Sequence, residues 1–430
     1  MNTFAIATLG CKVNTYESES YVQGLTALDF HEVDFKGCAD VYIINTCAVT
    51  NTAASKSRQK INQAKRNNPN AVICVVGCFV QTSHKPEELG ADILIGSSQK
   101  AKLPEIIKEV LDGKEVNSLV EDIQHFTHFE TLTVDQFQHK TRAFLKIQDG
   151  CNQYCSYCII PFARGRERSM PLIEVVENAK KLVEHGHREI VLTGIHTGRY
   201  GHDLGIELID LLKELVRIEQ LQRIRISSIE VTELSDELIE FIADNKKIAR
   251  HLHIPIQSGS DEILKAMNRP YSIALFEEKV KEIRSKIPNI SISSDIIMGF
   301  PQESEEQFKE TMDTVEKVQF SFLHVFPFSK RDGTRAEKLS GHLSNQIKKE
   351  RCSAVSFLSK KHYNNYIHTF IGQTVEVLFE YEKDGYYYGH TSEYVLTKVK
   401  SDKDITNQVY SVIIDKVEEG SLVGSLGGIS

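Results

Sequence analysis

The sequence predicts an α/β chain in three parts: an N-terminal parallel-sheet domain of βαβ units, a central partial (βα)6 barrel and a small C-terminal all-β barrel module. Three observations carry this reading. Val/Ile-rich runs alternate with amphipathic helical stretches at the start of the chain, the mark of strands buried on both faces. A second series of six such runs follows from RAFLKIQDG to FSFLHVFPF, again with helices between them. The tail then changes to strand-like runs joined by Gly- and Asp-containing turns.

In chain order, TFAIATL, DVYIINT, AVICVVG and ADILIG are the first strands, separated by helical stretches such as TAASKSRQKINQAKRN and KAKLPEIIKEVLDG. This domain is placed at 1–117. Residues 118–139 lack the rhythm and are expected to be a linker. The barrel, 140–340, reads as RAFLKIQDG, EIVLTG, IRISSIEV, HLHIPIQ, ISISSDIIMGF and FSFLHVFPF. Six units fall short of the eight that close a TIM barrel, so a large substrate can enter from the side. A polar helical connection occupies 341–370, and the all-β module 371–430.

With 430 residues, 41% hydrophobic and 26% charged, the chain has enough apolar material for several cores. No apolar run approaches the roughly 20 residues of a bilayer span, and MNTFAIATLGCKVN has no basic n-region or small-residue cleavage site, so a cytoplasmic location without membrane contact is expected. In a reducing compartment nine cysteines point to metal or redox chemistry rather than disulfides. The net charge of -8 argues against indiscriminate nucleic-acid binding. It is unevenly spread, with nine Lys/Arg against three Asp/Glu over 330–361 and five against ten over 371–430.

Cys151, Cys155 and Cys158 form C-x3-C-x2-C on a loop directly after the first barrel strand. Three thiolates can hold three irons of a 4Fe-4S cubane and leave the fourth free to chelate S-adenosylmethionine for reductive cleavage. A structural zinc site needs four ligands, and the chain has no second C-x2-C to supply a paired half-site. Cys11, Cys47 and Cys78 each fall just beyond the carboxyl end of a predicted N-terminal strand, the edge where ligands bind in open parallel sheets. They either converge on a second cluster or pack as small hydrophobes. Cys74 reads as core, and Cys38 and Cys352 have no partner of recognisable spacing.

LGCKVNTYES, INTCAVT, VVGC and DGCNQYCSYC together resemble the methylthiotransferase family of radical S-adenosylmethionine enzymes, over nearly the whole chain. TLGCKVNTYES, IIPFARGRERS, VLTGIHTGRYG and HIPIQSGSDEILKAMNRPY look most like the branch acting on N6-threonylcarbamoyladenosine in tRNA. The resemblance implies an auxiliary-cluster domain, a radical barrel and a C-terminal TRAM module. It implies two 4Fe-4S clusters, at Cys11, Cys47 and Cys78 and at Cys151, Cys155 and Cys158, and methylthiolation at C2 of that adenine, next to the anticodon, with two S-adenosylmethionine molecules consumed. The partners implied are tRNA, an electron donor and a sulfur source. Within the same chemistry the alternatives are isopentenyladenosine in tRNA or a ribosomal-protein aspartate; outside it, a non-catalytic iron-sulfur or zinc protein that binds RNA.

By the same resemblance Tyr157 contacts the cofactor's adenine, and by strand-end placement Thr193, Gly194, Arg225, Ser227, Gln257, Met298 and Gly299 line the cofactor pocket. Arg164, Arg166 and Arg168 of RGRERS suit phosphate contact. Branch members often carry Arg where this chain has Met170. Ser260 or Asp261 is expected to cap the helix of EILKAMN. His251 and His253 share one strand face and are expected to line core or pocket rather than ligate metal. The TRAM-like tail is acidic, contrary to phosphate binding, so Lys348, Lys349, Arg351, Lys360 and Lys361 on the preceding helix are expected to share in RNA contact.

Overall fold

The computed structural model describes residues 2–115, 118–137 and 141–427. The expected boundaries at 117 and 139/140, and the last three residues of the expected all-β module, lie outside the described residues.

Five strands make the N-terminal sheet: β1 (Thr3–Thr8), β2 (His31–Glu32), β3 (Val41–Thr46), β4 (Val72–Gly77) and β5 (Ile93–Ile95). All pairs are parallel, in the order β2-β1-β3-β4-β5. Alternate residues feed two layers. Phe4, Val41, Ile43, Cys74, Val76, Ile93 and Ile95 pack under α1 (Lys12–Ala27) and α4 (Leu103–Leu111). Tyr42, Ile44, Ile73 and Val75 pack under α2 (Asn51–Asn67), beyond which α3 (Cys78–Thr82) follows β4. With both faces covered, every residue of β3 is buried, hence its unbroken apolar run.

The stretch expected as a free linker is instead a strap. Leu119 bridges to Ile95, Leu132 O accepts from Tyr16 OH at 2.7 Å, and Leu132, Val134 and Phe137 are buried in the core shared with the barrel. Leu132 and Val134 alternate as in a strand but over only two positions, too short a run to signal burial.

The barrel strands are β6 (Arg142–Lys146), β9 (Glu189–Thr193), β10 (Arg223–Ile226), β11 (His251–His253), β12 (Ser291–Met298) and β13 (Phe322–Pro327), with a two-residue ribbon of β7 (Gln148–Asp149) and β8 (Arg168–Ser169) after the first. They form two parallel triplets, β6-β9-β10 and β11-β12-β13. Parallel bridges Ile224↔Ile248 and Ser228↔His253 join the triplets, giving the expected six-strand partial barrel. Ala143, Leu145, Ile190, Leu192, Ile224, Ile226, Leu252, Ile292 and Ile296 belong to the main apolar core. The alternate residues, Arg142, Lys146, Glu189, Thr193, Arg223, Arg225, His251, His253, Ser293, Asp295 and His324, therefore turn to the other side and make it polar.

The helix Asn345–His368, capped by Ser344 Oγ accepting from Ile347 N, leads to a closed five-strand barrel. Its strands are β14 (Thr374–Lys383), β15 (Tyr386–Thr391), β16 (Leu396–Val399), β17 (Val409–Glu418) and β18 (Ser421–Leu426), in the order β14-β15-β16-β18-β17. No described helix is long and apolar enough to cross a membrane.

Candidate active site at the junction of three domains

The loop carrying Cys151, Cys155 and Cys158 leaves the barrel at Gly150, whose φ is +74° and where a Cβ would fall 1.9 Å from the Arg166 carbonyl oxygen. Only glycine allows this approach. Cys151 N donates to Gly165 O at 3.1 Å, and Cys158 N to Cys155 O at 3.0 Å. Each exposed side of the set has a polar escort: Gln153 N lies 3.4 Å from Cys151 Sγ, His196 Nδ1 is 3.5 Å from the same sulfur, and Arg269 Nη1 donates to Cys155 Sγ at 3.3 Å. Arg269 is anchored by Glu230 and by the Tyr271 hydroxyl. Burial pushes the Cys158 thiol up to about 12, and Cys155 and Cys151 push the same way. Three thiols this close disfavour one another as thiolates, and cationic metal removes that cost, so the donor set fits a three-cysteine iron-sulfur site.

Cys11, Cys47 and Cys78 converge. Cys11 is the N-cap of α1, Cys47 follows β3 and Cys78 opens α3 directly after β4, so the three sit at the carboxyl ends of adjacent strands. The strand order reverses between β1 and β3, which opens a crevice there. Gly10, at φ +104°, lies so close to Cys47 that a Cβ would be 2.8 Å from its Cβ and 2.9 Å from its Sγ. After burial, the neighbouring Cys78 is the largest influence raising Cys47, to about 11, with Cys11 adding to it. By the same chemical criterion these residues fit a second cluster. Cys78 packs with Ala48, Ile159 and Ala163, so this set abuts α5 (Ile160–Arg164), the helix that follows the loop carrying Cys151, Cys155 and Cys158.

Arg164 ends α5 and is fully buried. It donates to Glu17 Oε1 at 2.7 Å, Asp149 Oδ2 at 3.1 Å, Asn14 Oδ1 at 2.6 Å and Cys78 Sγ at 3.3 Å. Lys100 and Lys146 also bind Glu17, at 2.9 and 3.1 Å. The expectation of phosphate contact at Arg164 and Arg168 is therefore corrected. Two buried carboxylates require the first, and the second is buried on the carbonyls of Arg164 and Phe126 at 2.9 and 3.2 Å. Arg166 alone of the three is exposed. Met170 is fully buried and accepts from Asn178, so that position offers no phosphate contact.

Two cavities meet at this junction. A larger one of about 810 Å³ is lined from the N-terminal domain by Cys11 and Lys12, from the barrel by Thr193, Gly194, Ser227, His251, His253 and His324, and from the C-terminal module by Glu393 and Tyr394. A smaller one of about 240 Å³ is lined by Thr50, Tyr157, Cys158, Gln257 and Phe328; Asp295 and Phe326 line both. The predicted pocket residues are thus divided: Tyr157 and Gln257 in the smaller cavity with Cys158, Thr193, Gly194 and Ser227 in the larger.

Three predicted lining residues are elsewhere. Arg225 binds Glu189 at 2.8 Å and donates to the carbonyls of Ser392 and Thr391 at 3.0 and 3.3 Å, tying the C-terminal barrel to the central one. Met298 is buried in the main core, and Gly299, at φ +73°, faces the methylenes of Lys348. Strand-end position alone did not reveal which way each side chain points.

On the helix Asn345–His368, Lys348 is buried with Nζ 3.2 Å from Phe328 O, and Arg351 is buried on Glu303 and Glu305 at 2.6 and 3.0 Å, which corrects their assignment to RNA contact. Lys349, Lys360 and Lys361 remain exposed, the last paired with Glu316 at 3.1 Å. Ser260 occupies the N-cap but its side chain makes no capping bond, and Asp261 Oδ1 accepts from Ile273 N at 2.7 Å instead. His251 and His253 line the cavity. His253 Nδ1 is 2.9 Å from Ser293 Oγ and its Nε2 3.2 Å from Asp295, so both ring nitrogens are engaged by protein.

Sequence reasoning missed Lys12, Arg269, His324 and Tyr394. Lys12 directly follows a cluster-candidate cysteine, which was a usable signal; the others required the fold. Tyr394, at φ +69°, stacks on His390 at 4.8 Å and covers Arg225 at 4.8 Å, bringing the C-terminal module to the barrel mouth.

The comparisons agree with this geometry. Residues 145–315 match the Radical SAM superfamily, and residues 3–95 match a family described as Uncharacterized protein family UPF0004. The threonylcarbamoyladenosine tRNA methylthiotransferase MtaB of Bacillus subtilis (strain 168) is 42% identical over 427 residues, 97% of this chain and 94% of the relative. The tRNA-2-methylthio-N(6)-dimethylallyladenosine synthase of Thermotoga petrophila is 36% identical over 433 residues, 98% of this chain and 96% of the relative. Among solved structures, the radical S-adenosylmethionine methyltransferase TsrM of Kitasatospora setae, with cobalamin and a [4Fe-4S] cluster bound, superposes with a TM-score of 0.58 at 14% identity, covering 78% of this chain and 76% of that one, which shows a shared fold. The chain belongs to the methylthiotransferase family of radical S-adenosylmethionine enzymes, and with that membership come a 4Fe-4S cluster and S-adenosylmethionine.

Proposed function

We propose that this enzyme methylthiolates C2 of N6-threonylcarbamoyladenosine at position 37 of tRNA, using two 4Fe-4S clusters and two S-adenosylmethionine molecules. The observation that carries the reading is the pair of three-thiol sets, Cys151, Cys155, Cys158 and Cys11, Cys47, Cys78, on loops that meet through Cys78, Ile159 and Ala163. The relatives whose names specify threonylcarbamoyladenosine support the substrate.

When bound, the clusters and cofactor supply a 5′-deoxyadenosyl radical and a methylthio donor, the pair that an unactivated aromatic C–H requires. The chain's residues arrange the rest. Tyr157 and Gln257 stand beside Cys158 to hold the cofactor, with Ile159, Ile297, Phe326 and Phe328 excluding water around it. Thr193, Gly194 and Ser227 face the larger cavity, where the base enters. Of the cations expected to contact RNA, Arg166, Lys349, Lys360 and Lys361 are exposed and can meet the phosphate backbone, and the acidic C-terminal barrel acts by closing the cavity. An electron donor and a sulfur source complete the reaction from outside.

Nucleoside mass spectrometry of tRNA from a strain lacking the protein tests the substrate. Loss of only the 2-methylthio form of N6-threonylcarbamoyladenosine is expected. Loss of the 2-methylthio isopentenyl nucleoside, or an unchanged tRNA profile, would reject it.

A further inference from the structure

The larger cavity contains two nitrogen side chains to which the proposed chemistry gives no task. Lys12 enters from the first turn of α1, and His324 from the middle of β13. Both are exposed to the cavity, and neither makes a hydrogen bond or ion pair with another described residue. His324 makes ring contacts with Phe322 at 4.8 Å, His253 at 5.8 Å and Phe326 at 6.4 Å, and the Asp295 carboxylate lies within 4.8 Å of one of its nitrogens without a hydrogen bond, so both nitrogens stay available.

The wall around them is hydroxyl-rich: Ser227, Ser228, Ser293 and Ser321 line the same space. Two carboxylates line it as well. Asp295 is paired with His253, and Glu393 belongs to the C-terminal module. The two unpartnered groups thus come from two different domains and open onto one space large enough for a modified nucleoside.

A threonylcarbamoyl group at N6 carries a carboxylate and a hydroxyl; an isopentenyl group carries neither. An ammonium enclosed against an isoprenoid would lose water without gaining a partner, whereas a carboxylate supplies one. A site built around such donors rejects the analogue lacking the matching acceptor.

We propose that Lys12 and His324 form the subsite that reads the carboxylate of the N6 substituent, selecting amino-acid-bearing adenosine over prenylated adenosine. This rests on the substrate class proposed above. The hydroxyls of the serine wall receive the remaining polar groups of the substituent. Lys12 and His324 are specificity residues and take no part in forming or breaking bonds.

The test uses full-length, cluster-loaded enzyme and anticodon stem-loop RNAs carrying at position 37 N6-threonylcarbamoyladenosine, its methyl ester or isopentenyladenosine. Wild type is expected to favour the acid over the ester by at least about tenfold in kcat/KM. Lys12→Met should erase that preference chiefly through KM, Lys12→Arg should retain it, and His324→Asn, remote in sequence from every cluster cysteine, should reduce it. Iron and sulfide content is measured for each variant, since a role for Lys12 in cluster assembly would lower both substrates alike. Equal use of acid and ester by wild type, or equal losses on both substrates in the two variants, overturns the subsite. Activity on the isopentenyl RNA with none on the acid would overturn the proposed function itself, a distinguishable result.

Discussion

Arg164 and Glu17 are both fully buried, and Nη1 of the first lies 2.7 Å from Oε1 of the second, across the boundary between the N-terminal sheet and the barrel. The same guanidinium reaches Asp149, two residues before Cys151, on one side and the Cys78 thiol on the other, so a single side chain ties Cys78 to the segment that leads into the other cysteine set. Arg164→Met should destabilise the protein by roughly 3–5 kcal/mol, because it strands buried carboxylates. Thermal unfolding checks this, and Arg164→Lys should recover only part, since a point charge cannot address Glu17, Asp149 and Asn14 together. A melting temperature unchanged in the methionine variant would show that Lys100 and Lys146 suffice.

Acid should unfold the protein through these same groups. Burial alone would raise Glu17 and Asp149, but Arg164 foremost and then the lysines override it and hold both well below the usual carboxylate range; Glu189, paired with Arg225 and Arg223, is lowered to about 2. Carboxylates depressed in the folded state contribute stability that is complete above their unfolded pKa, about 4.3, and is lost as pH falls toward the folded values. The contribution of these carboxylates should therefore be constant from neutrality to about pH 5 and fall steeply below. Glu189→Gln should make that acid limb shallower in urea titrations, and an identical slope would count against it.

A Cβ added at Gly10 would meet Cys47 first, and the φ of +104° already disfavours an ordinary side chain there. With the two clusters proposed above, Gly10→Ala should displace the Cys47 thiol and halve the iron content, from about eight to about four per chain, while circular dichroism remains that of a folded protein. Full iron occupancy would show that the loop yields without disturbing the thiol.

The two cysteine sets should separate by function. Cys155→Ala is expected to form no 5′-deoxyadenosine, and Cys47→Ala to form 5′-deoxyadenosine but no methylthiolated RNA. Liquid chromatography of both products decides it. Methylthiolation by the Cys47 variant would remove the second cluster from the mechanism.

Arg225 joins Glu189 in the barrel to the backbone of the β15–β16 turn, and Arg142 to Glu380 at 3.1 Å makes a parallel link. Arg225→Met should loosen the C-terminal barrel, leaving Glu189 with one cation fewer, and should speed limited proteolysis at residues 369–373 several-fold. It should also raise KM for RNA, because Glu393 and Tyr394 close the cavity from that side. Proteolysis at the wild-type rate would mean that the remaining contacts, such as Asn407 to Gly186 O at 2.9 Å, hold the module by themselves.

The sequence by itself determined the three-part architecture and the two cysteine sets. Cys151, Cys155 and Cys158 are legible because a tight loop brings near neighbours together whatever the rest of the fold does. Cys11, Cys47 and Cys78 are legible because parallel strands place their carboxyl ends on one edge, so position relative to β1, β3 and β4 substitutes for proximity in the chain. Only the tertiary structure decided the fate of the charged residues. Arg164, Arg168, Lys348 and Arg351 read as cations for RNA and Arg225 as a pocket-lining residue, yet each is buried on carboxylates or carbonyls supplied from other parts of the chain. Lys12 and His324 were passed over, yet they stand free in the cavity. A charge declares its sign in the sequence, but its partner comes from wherever the fold delivers one, and that decides whether it supports the protein or meets the substrate.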